Sequence, residues 1–468
     1  MGTINAALSL IAEALNADQG ALNVVSNNVA NASSQSYTRE VPNWAGNQPI
    51  NINGLMIGTG VTMTGGVSQR DRVLEQRLQQ QQQLSASSSS LLTALSTIES
   101  SFRPSGGPST SGDIGSDITS FFNAYTQLES NPTSNPLRQQ VLASAATLAG
   151  DIAGRAASLN GQQSSLDQSA TTIVAQVNAV TASLAAINQK IQSLSPNQDA
   201  GPLEDQRQAE LNQLSQLIGV NQISTEQNGL SITTTGGQLL ASEGNSFQIT
   251  TGAVNGLTHF FLGGADITSQ IASGGGELGG IVTARDQNIP SLLSSLDQLA
   301  YGIATKVNTV NNAGTDLVGD NGNSGNIFNA PTVVSGAAMS MQVVMTDPNK
   351  IAAAGLGAGT GNNANAVVAA SLATQGFIGG QTPSDFYSNL VGTLGATISE
   401  TTIQGSALNA SVTQLQSQRD SLSAVNLNEE ASALQEFQRS YQAASQVFGI
   451  LNSIMATALN LGTQTTMA

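Results

Sequence analysis

The stretch at residues 4–29, INAALSLIAEALNADQGALNVVSNNV, sets Ile4, Leu8, Ile11, Leu15, Leu22, Val25 and Val29 on alternating steps of three and four, with Asp18 at the one position of the stripe that is not apolar. Apolar residues at that spacing share one face of an α-helix. The far end repeats the design. In LQEFQRSYQAASQVFGILNSIMATA, residues 434–458, Leu434, Phe437, Tyr441, Ala444, Phe448, Leu451, Met455 and Ala458 step 3-4-3-4-3-4-3. Two narrow amphipathic helices at opposite ends of one chain pair most simply with each other or with neighbouring copies. Such stripes bury little area, and isolated helices gain their stability from packing, so both termini are expected to be disordered in the free monomer and to order only on assembly.

Between the ends, the seam Val141, Ala145, Leu148, Ile152, Leu159, Leu166, Ile173, Val177, Val180, Leu184, Ile187, Ile191 and Leu194 holds one register. Helical throughout, it is a rod of about 80 Å at 1.5 Å per residue. Further helices are expected at Leu74–Phe102, around a glutamine run from Gln79 to Gln83, and at Ile289–Val310, with shorter helical patterns from Phe386 to Leu422. From Val220 to about Gly280 the reading changes. β-branched and aromatic residues alternate there, and the pairs Asn228-Gly229 and Asn255-Gly256 mark hairpins. A second β-like patch lies at Thr332–Met345, and Arg103–Gly115 reads as a loop.

The fold class that follows is mainly α with an inserted β domain, the terminal helices pairing as a coiled-coil-like core. The expected domains are a terminal helical core at 1–36 and 434–468, an α-helical rod at 37–218, 281–312 and 383–433, and a β-rich outer domain at 219–280 and 313–382.

Composition excludes several function classes. Only 9% of the 468 residues are charged, against about 25% in ordinary domains, and 14 Lys and Arg face 30 Asp and Glu. Neutralising phosphates needs clustered cations that this chain lacks, so nucleic acid is not an expected partner, nor is an anionic membrane surface. No Cys is present, which removes disulfides, thiolate metal sites and Cys nucleophiles. The sequence has no run of about 18 uninterrupted apolar residues, and Met1–Ala6 carries no basic segment of a secretory signal; a soluble chain that leaves the cell without a cleaved peptide is expected.

Candidate chemistry is sparse. The paired acids Glu204-Asp205 and Glu429-Glu430 point about 100° apart on a helix, which fits no two-carboxylate hydrolase site, and they read as helix charges or helix-start contacts. The tract Asp316–Asn326 offers oxygen ligands for calcium, yet counting from Asp320 its third position is Gly322 and its twelfth Pro331, so a turn is expected. His259 beside Phe260-Phe261 reads as a strand residue with no partner ligand nearby. No catalytic residue, cofactor or metal is expected.

The most informative feature is Ser26–Arg39, where Asn27, Asn28, Asn31, Ser33, Ser34 and Ser36 crowd the end of the first helix before Tyr37-Thr38-Arg39. Short amide and hydroxyl side chains there suit a helix end. At these residues the chain resembles the bacterial flagellar axial family of rod, hook and hook-associated proteins. Ala14–Leu22 and Ser26–Asn31 are similar to the family's N-terminal signature. Tyr37-Thr38-Arg39 resembles the branch at the hook-filament junction, although Ser36 stands where Gly is usual. Val425-Asn426-Leu427-Asn428-Glu429-Glu430, continuing through Leu434–Ala443, is similar to the C-terminal motif, with Asn428 where Asp is usual. Gly276–Gly280, Ala284-Arg285-Asp286, Asn311–Leu317, Leu203–Arg207 and Asp347–Ala352 resemble interior blocks of that branch.

The resemblance implies a non-enzymatic structural subunit, a homo-oligomeric ring between the hook protein and the second hook-filament junction protein. Export would be unfolded, through the flagellar type III apparatus, with an export chaperone bound to the C-terminal helix. The residues expected at subunit interfaces are Ile4, Leu8, Ile11, Leu15, Leu22, Val25 and Val29 with Leu434, Phe437, Tyr441, Phe448, Leu451 and Met455. Those of the family motif are Asn27, Asn28, Asn31, Tyr37, Thr38, Arg39, Asn426, Leu427, Glu429 and Glu430. The alternatives are a hook or filament subunit of the same family, or an exported cell-wall hydrolase or adhesin. The chain is short for the family, which implies an outermost domain that is reduced or absent.

Overall fold

The computed structural model describes residues 2–34, 37–52, 55–102, 113–194, 200–224 and 229–464. Ser36 of the turn stretch, residues 103–112 of the expected loop and Asn228 of the first Asn-Gly pair lie outside the described residues. In chain order the elements begin with helix α1 (Gly2–Asn31), strands β1 (Glu40–Gly46), β2 (Ile50–Ile52), β3 (Leu55–Ile57) and β4 (Val61–Ser68), and helices α2 (Arg72–Phe102), α3 (Ile114–Ser130), α4 (Asn135–Ser193) and α5 (Gly201–Leu217). Strands β5 (Val220–Ser224), β6 (Leu230–Thr234), β7 (Leu239–Ser242), β8 (Asn245–Ser246), β9 (Thr250–Val254), β10 (Leu257–Leu262) and β11 (Ala265–Asp266) follow. Then come α6 (Thr268–Gly274), α7 (Gly276–Thr283), a π-helical turn at Ala284–Asn288, α8 (Ile289–Asn312), β12 (Gly314–Thr315), α9 (Ala337–Ser340), β13 (Ala354–Gly355), α10 (Ala364–Ser371), α11 (Pro383–Ser423) and α12 (Leu427–Gln464).

The fold is mainly α with inserted β structure, as the sequence predicts. Where Phe386–Leu422 reads as several short helices, a single 41-residue helix, α11, forms. The 59-residue α4 carries the long seam, and Val141, Ala145, Leu148, Ile152, Leu159, Val177 and Leu184 on it are fully buried. One 18-residue window of α4, of mean hydropathy 1.5, is long and apolar enough to cross a membrane, and half of it is buried within the protein.

The chain forms two units. The first contains residues 1–84, 176–249 and 408–468. In it α1 packs along α12, so the terminal helices pair within one chain. β1 and β4 pair antiparallel from Glu40↔Ser68 to Gly46↔Val61, with an irregularity at Asn43/Trp44, and lie against α1. The second sheet runs β5-β6-β7-β8. Helix-borne amides hold the chain where it enters this sheet and just after it leaves. Gln83 of α2 donates to the Val220 carbonyl at 2.9 Å and accepts from its N–H at 3.2 Å, and Asn178 of α4 does the same for Ile249, both at 2.9 Å. An amide side chain presents one donor and one acceptor side by side, as a neighbouring strand would.

The second unit contains residues 85–175 and 250–407. Its core is apolar side chains of α2, α3, α4, α8, α10 and α11, with Phe121 edge-on to Tyr125 and Phe328. Antiparallel β9, β10 and β11 form a three-stranded sheet, and Asn255 and Gly256, at φ 52° and 84°, make the tight turn that this pair predicts. Arg285, wholly buried in the π-helical turn, pairs with Asp167 of α4 at 2.6 Å and with Asp286, and lies 5.6 Å from the Phe260 ring centre. Asp167 also accepts the Thr258 N–H at 3.0 Å, so one buried cation fixes β10 to α4.

The patch at Thr332–Met345 is not a sheet: it holds α9 and a single bridge, Phe328↔Val343. Its valines supply β-branched content without alternating burial, and Gly336, at φ 79°, turns the chain into α9 instead.

Candidate functional site

The end of α1, the segment 37–40 and the start of α12 meet in the first unit around one side chain. Asn28, 1% exposed, donates to the Glu40 carbonyl at 2.8 Å and to Glu430 Oε2 at 3.0 Å. Its Oδ1 accepts from the Tyr37 hydroxyl at 2.9 Å and from the Glu40 N–H at 3.0 Å. Asn28 and Glu430 are 402 positions apart in the chain.

Arg39 forks across the first turn of α12, with Nε 2.7 Å from Glu430 Oε1 and Nη1 2.9 Å from Glu429 Oε2. Two carboxylates in a helix's first turn also favour its positive end. Asn426 caps that helix, accepting from the Asn428 N–H at 3.1 Å and donating to Glu429 at 3.3 Å. At the other end of the cluster, Asn31 donates back to the Asn27 carbonyl at 3.0 Å and closes α1. The Arg39 N–H donates to the carbonyl of Ser423, the last residue of α11.

A second arginine extends the cluster. Arg70 donates to Thr38 Oγ1 from Nε at 3.2 Å and from Nη2 at 3.0 Å, donates to the Glu204 carbonyl at 3.1 Å, and ion-pairs with Asp205. Burial pushes the Asp205 carboxyl up to about 6, against the pull of Arg70. Glu204 lies 3.6 Å from Arg72 and 3.9 Å from Arg207. Burial also raises the Tyr37 phenol well above its ordinary range, with Glu40, Asp205 and Glu430 adding to it, so Tyr37 remains a donor to Asn28. A polar cavity of about 200 Å³ adjoins the cluster, lined by Tyr37, Thr38, Glu75, Arg419 and Asp420 among others. This chemistry holds segments together. Among the described residues, no group of three or more His, Asp or Glu converges as a metal site.

The paired acids are therefore not merely solvated helix charges. Glu430 is buried at the clasp, and Glu204-Asp205 opens α5 and binds arginines. Glu40 and Arg70, which complete the cluster, carry no local sequence signal; only their contacts single them out. Leu427 is 55% exposed and takes no part.

The terminal stripes lie as follows. On α12 the predicted positions Leu434, Phe437, Tyr441, Phe448, Leu451 and Met455 are all half-buried, and α1 is the helix packed along them. Ile4, Leu8, Ile11, Leu15 and Leu22 of α1 are half-buried as well, Val25 is buried, and Val29 is 43% exposed. Toward its end α1 buries Asp18 of the stripe and, beside it, Ala17, Ala21, Val24 and Asn28. A straight helix drifts about 20° per heptad from a strict seven-residue repeat, and here the buried face turns away from Val29. Trp44 of β1 adds a ring contact to Phe437 at 6.1 Å.

Elsewhere, Asp316 Oδ1 accepts the N–H groups of Val318, Gly319 and Asp320, each at 2.9 Å, and the Lys350 ammonium contacts Asp320 and lies 3.8 Å from Asp316. A lysine ammonium pairs with the carboxylates of the tract, and the tract is a turn. His259 is a strand residue, but it does have a partner: Asp266 on the neighbouring strand, at 2.6 Å.

The sequence profile of the flagellar hook-associated protein FlgK helical domain matches residues 95–328, half of the chain. The chain belongs to the flagellar hook-associated protein FlgK family. It is 25% identical to flagellar hook-associated protein 1 of Escherichia coli K12 over 551 aligned positions, covering 96% of this chain and 98% of that one. It is also 25% identical to the Bacillus subtilis protein of the same name, over 65% and 67% of the two chains. The E. coli alignment is longer than these 468 residues, so that FlgK relative carries segments with no counterpart among them. The fold is similar to that of the flagellar hook junction protein FlgK from Burkholderia pseudomallei, with a TM-score of 0.65 and 17% identity over 74% of this chain and all of that one.

Proposed function

We propose that this chain is a structural, non-enzymatic subunit of the hook-filament junction, forming a homo-oligomeric ring between the hook protein and a second junction protein. The observation that carries the reading is the clasp. The two sequence blocks resembling the family's terminal motifs, Asn27–Arg39 and Asn426–Glu430, are in direct hydrogen-bond contact and fix the bases of α1 and α12 against one another. Residues 1–36 and 434–468 are the assembly core on this reading. The outward side of α12 supports it: Val447, Ile450 and Ile454 are each 45% exposed or more, and no charged residue follows Arg439. An uncharged apolar stripe beside a half-buried seam gains most from burial against a like surface. Export is unfolded, and an export chaperone covers the same C-terminal helix before assembly.

The test is to locate the chain on isolated hook-filament particles with a specific antibody. A band confined to the junction, with filaments lost on gene deletion, is expected. Label along the whole hook or filament would replace this reading with that of a hook or filament subunit.

A further inference from the structure

In the second unit, Asp117 in the first turn of α3 meets Asp151 of α4. Asp117 is 8% exposed, and the Oδ2 atoms of both residues are shielded from solvent and take no donor from another group among the described residues. The two carboxyls are instead within hydrogen-bonding reach of each other. Two ionised carboxylates cannot hold that position, because like charges repel strongly in a shielded site. A proton shared between them removes that repulsion, as a bound cation would. The surroundings favour the proton. Asp113, which caps α3 through the Gly115 N–H, adds further negative charge, Arg155 of α4 is the facing cation, and Tyr387 of α11 faces the group with its phenol.

We infer that Asp117 and Asp151 share one proton and form a latch that holds α3 to α4 in its protonated state. Burial and the facing Asp151 carboxyl push Asp117 up to about 7, Asp113 adds to the rise and Arg155 opposes it. The sign follows. A carboxyl whose pKa is raised on folding contributes stability that is full below the ordinary carboxylate range and is lost as pH climbs through the folded value. The latch is therefore closed in acid and weakens between about pH 4 and about pH 7.

The experiment is thermal unfolding of the full chain from pH 4.5 to 8, for the natural protein, Asp117→Asn and Asp151→Asn. An amide donates permanently to the remaining carboxylate, so each variant imitates the proton-sharing state at every pH. Melting temperatures of the natural protein should fall relative to both variants by several degrees as pH rises, and parallel curves would overturn the proposal. If neither variant folds, infrared spectra of the natural protein in D₂O decide. A protonated carboxylic acid band should persist at pH 6 and disappear by pH 8, and its absence at pH 6 refutes the shared proton. Added Ca²⁺ or Mg²⁺ that raises the natural protein's melting temperature at pH 8, but not that of the variants, would make the pair a cation site and equally refute the latch.

Discussion

Asn28 has two N–H donors and an oxygen with two lone pairs, and all four are engaged by Glu40, Glu430 and Tyr37. Nothing else of its size fills that set. Asn28→Asp loses both donors and places a carboxylate against Glu430, which should lower stability by about 3 kcal/mol in urea unfolding. The loss should shrink as pH falls from 8 to 5, since protonation relieves the repulsion; an equal loss at both values would contradict the geometry. Arg39→Ala leaves the buried Glu430 without its cation and should reduce unfolding free energy by about 2–4 kcal/mol, whereas Glu429→Ala, at an exposed partner, should change it by less than about 1 kcal/mol. At this scale the crowding of Asn and Ser before Tyr37 announced a built turn. Its partner did not show, because hydrogen bonding to a residue 402 positions away leaves no periodic trace in either segment.

Among the elements, the helices were the legible part. A 3-4 spacing is a direct imprint of burial on one face, and α2, α4 and α8 end within a few residues of where the spacing places them. β1 and β4 leave no pattern in the sequence because most of their residues are exposed, so burial imposes no alternation on residues 40–68. The block Gly276–Gly280 shows another limit. Its glycines stood out, and their reason is a close approach: a Cβ on Gly280 of α7 would collide with the Ser87 carbonyl and the Leu91 N–H of α2, both backbone. Gly280→Ala should therefore destabilise the chain by about 2–3 kcal/mol in denaturant unfolding. Along α12 the two sides separate. Phe448→Asp should disturb the pairing with α1 and lower thermal stability, whereas Ile450→Asp, on the exposed stripe, should leave the melting temperature nearly unchanged and prevent incorporation into particles seen by electron microscopy.

For the molecule as a whole, scarce charge is matched by abundant amides in structural positions. Asn28, Gln83, Asn178 and Asn308 each hold a backbone segment against a helix through paired donors and acceptors. Composition shows how many amides the chain carries, but not that role for them. The assignment to two units, each assembled from separate stretches of chain, was equally hidden, because continuous helices such as α4 carry no composition break at a boundary. The tyrosines give a global readout. Three of five, Tyr37, Tyr125 and Tyr387, are raised chiefly by burial, Tyr387 up to about 12. Their protonated state contributes stability below pH 10 that is lost as pH rises through the folded values. In an alkaline absorbance titration, these three should ionise together with loss of helical circular dichroism rather than ahead of it.

The clasp also carries information about time and integrity. Closing Asn28 onto Glu40 spans 12 residues, and closing it onto Glu430 spans 402, a difference in loop-closure entropy of about 3 kcal/mol. Long internal helices and the local turn need only nearby residues, so they can form before the two termini meet. A truncated or stalled chain never supplies Glu430, so Asn28 and Arg39 stay open and the terminal pair has no fixed base. Closure of the clasp therefore reports that both ends of the same chain are present and folded against each other.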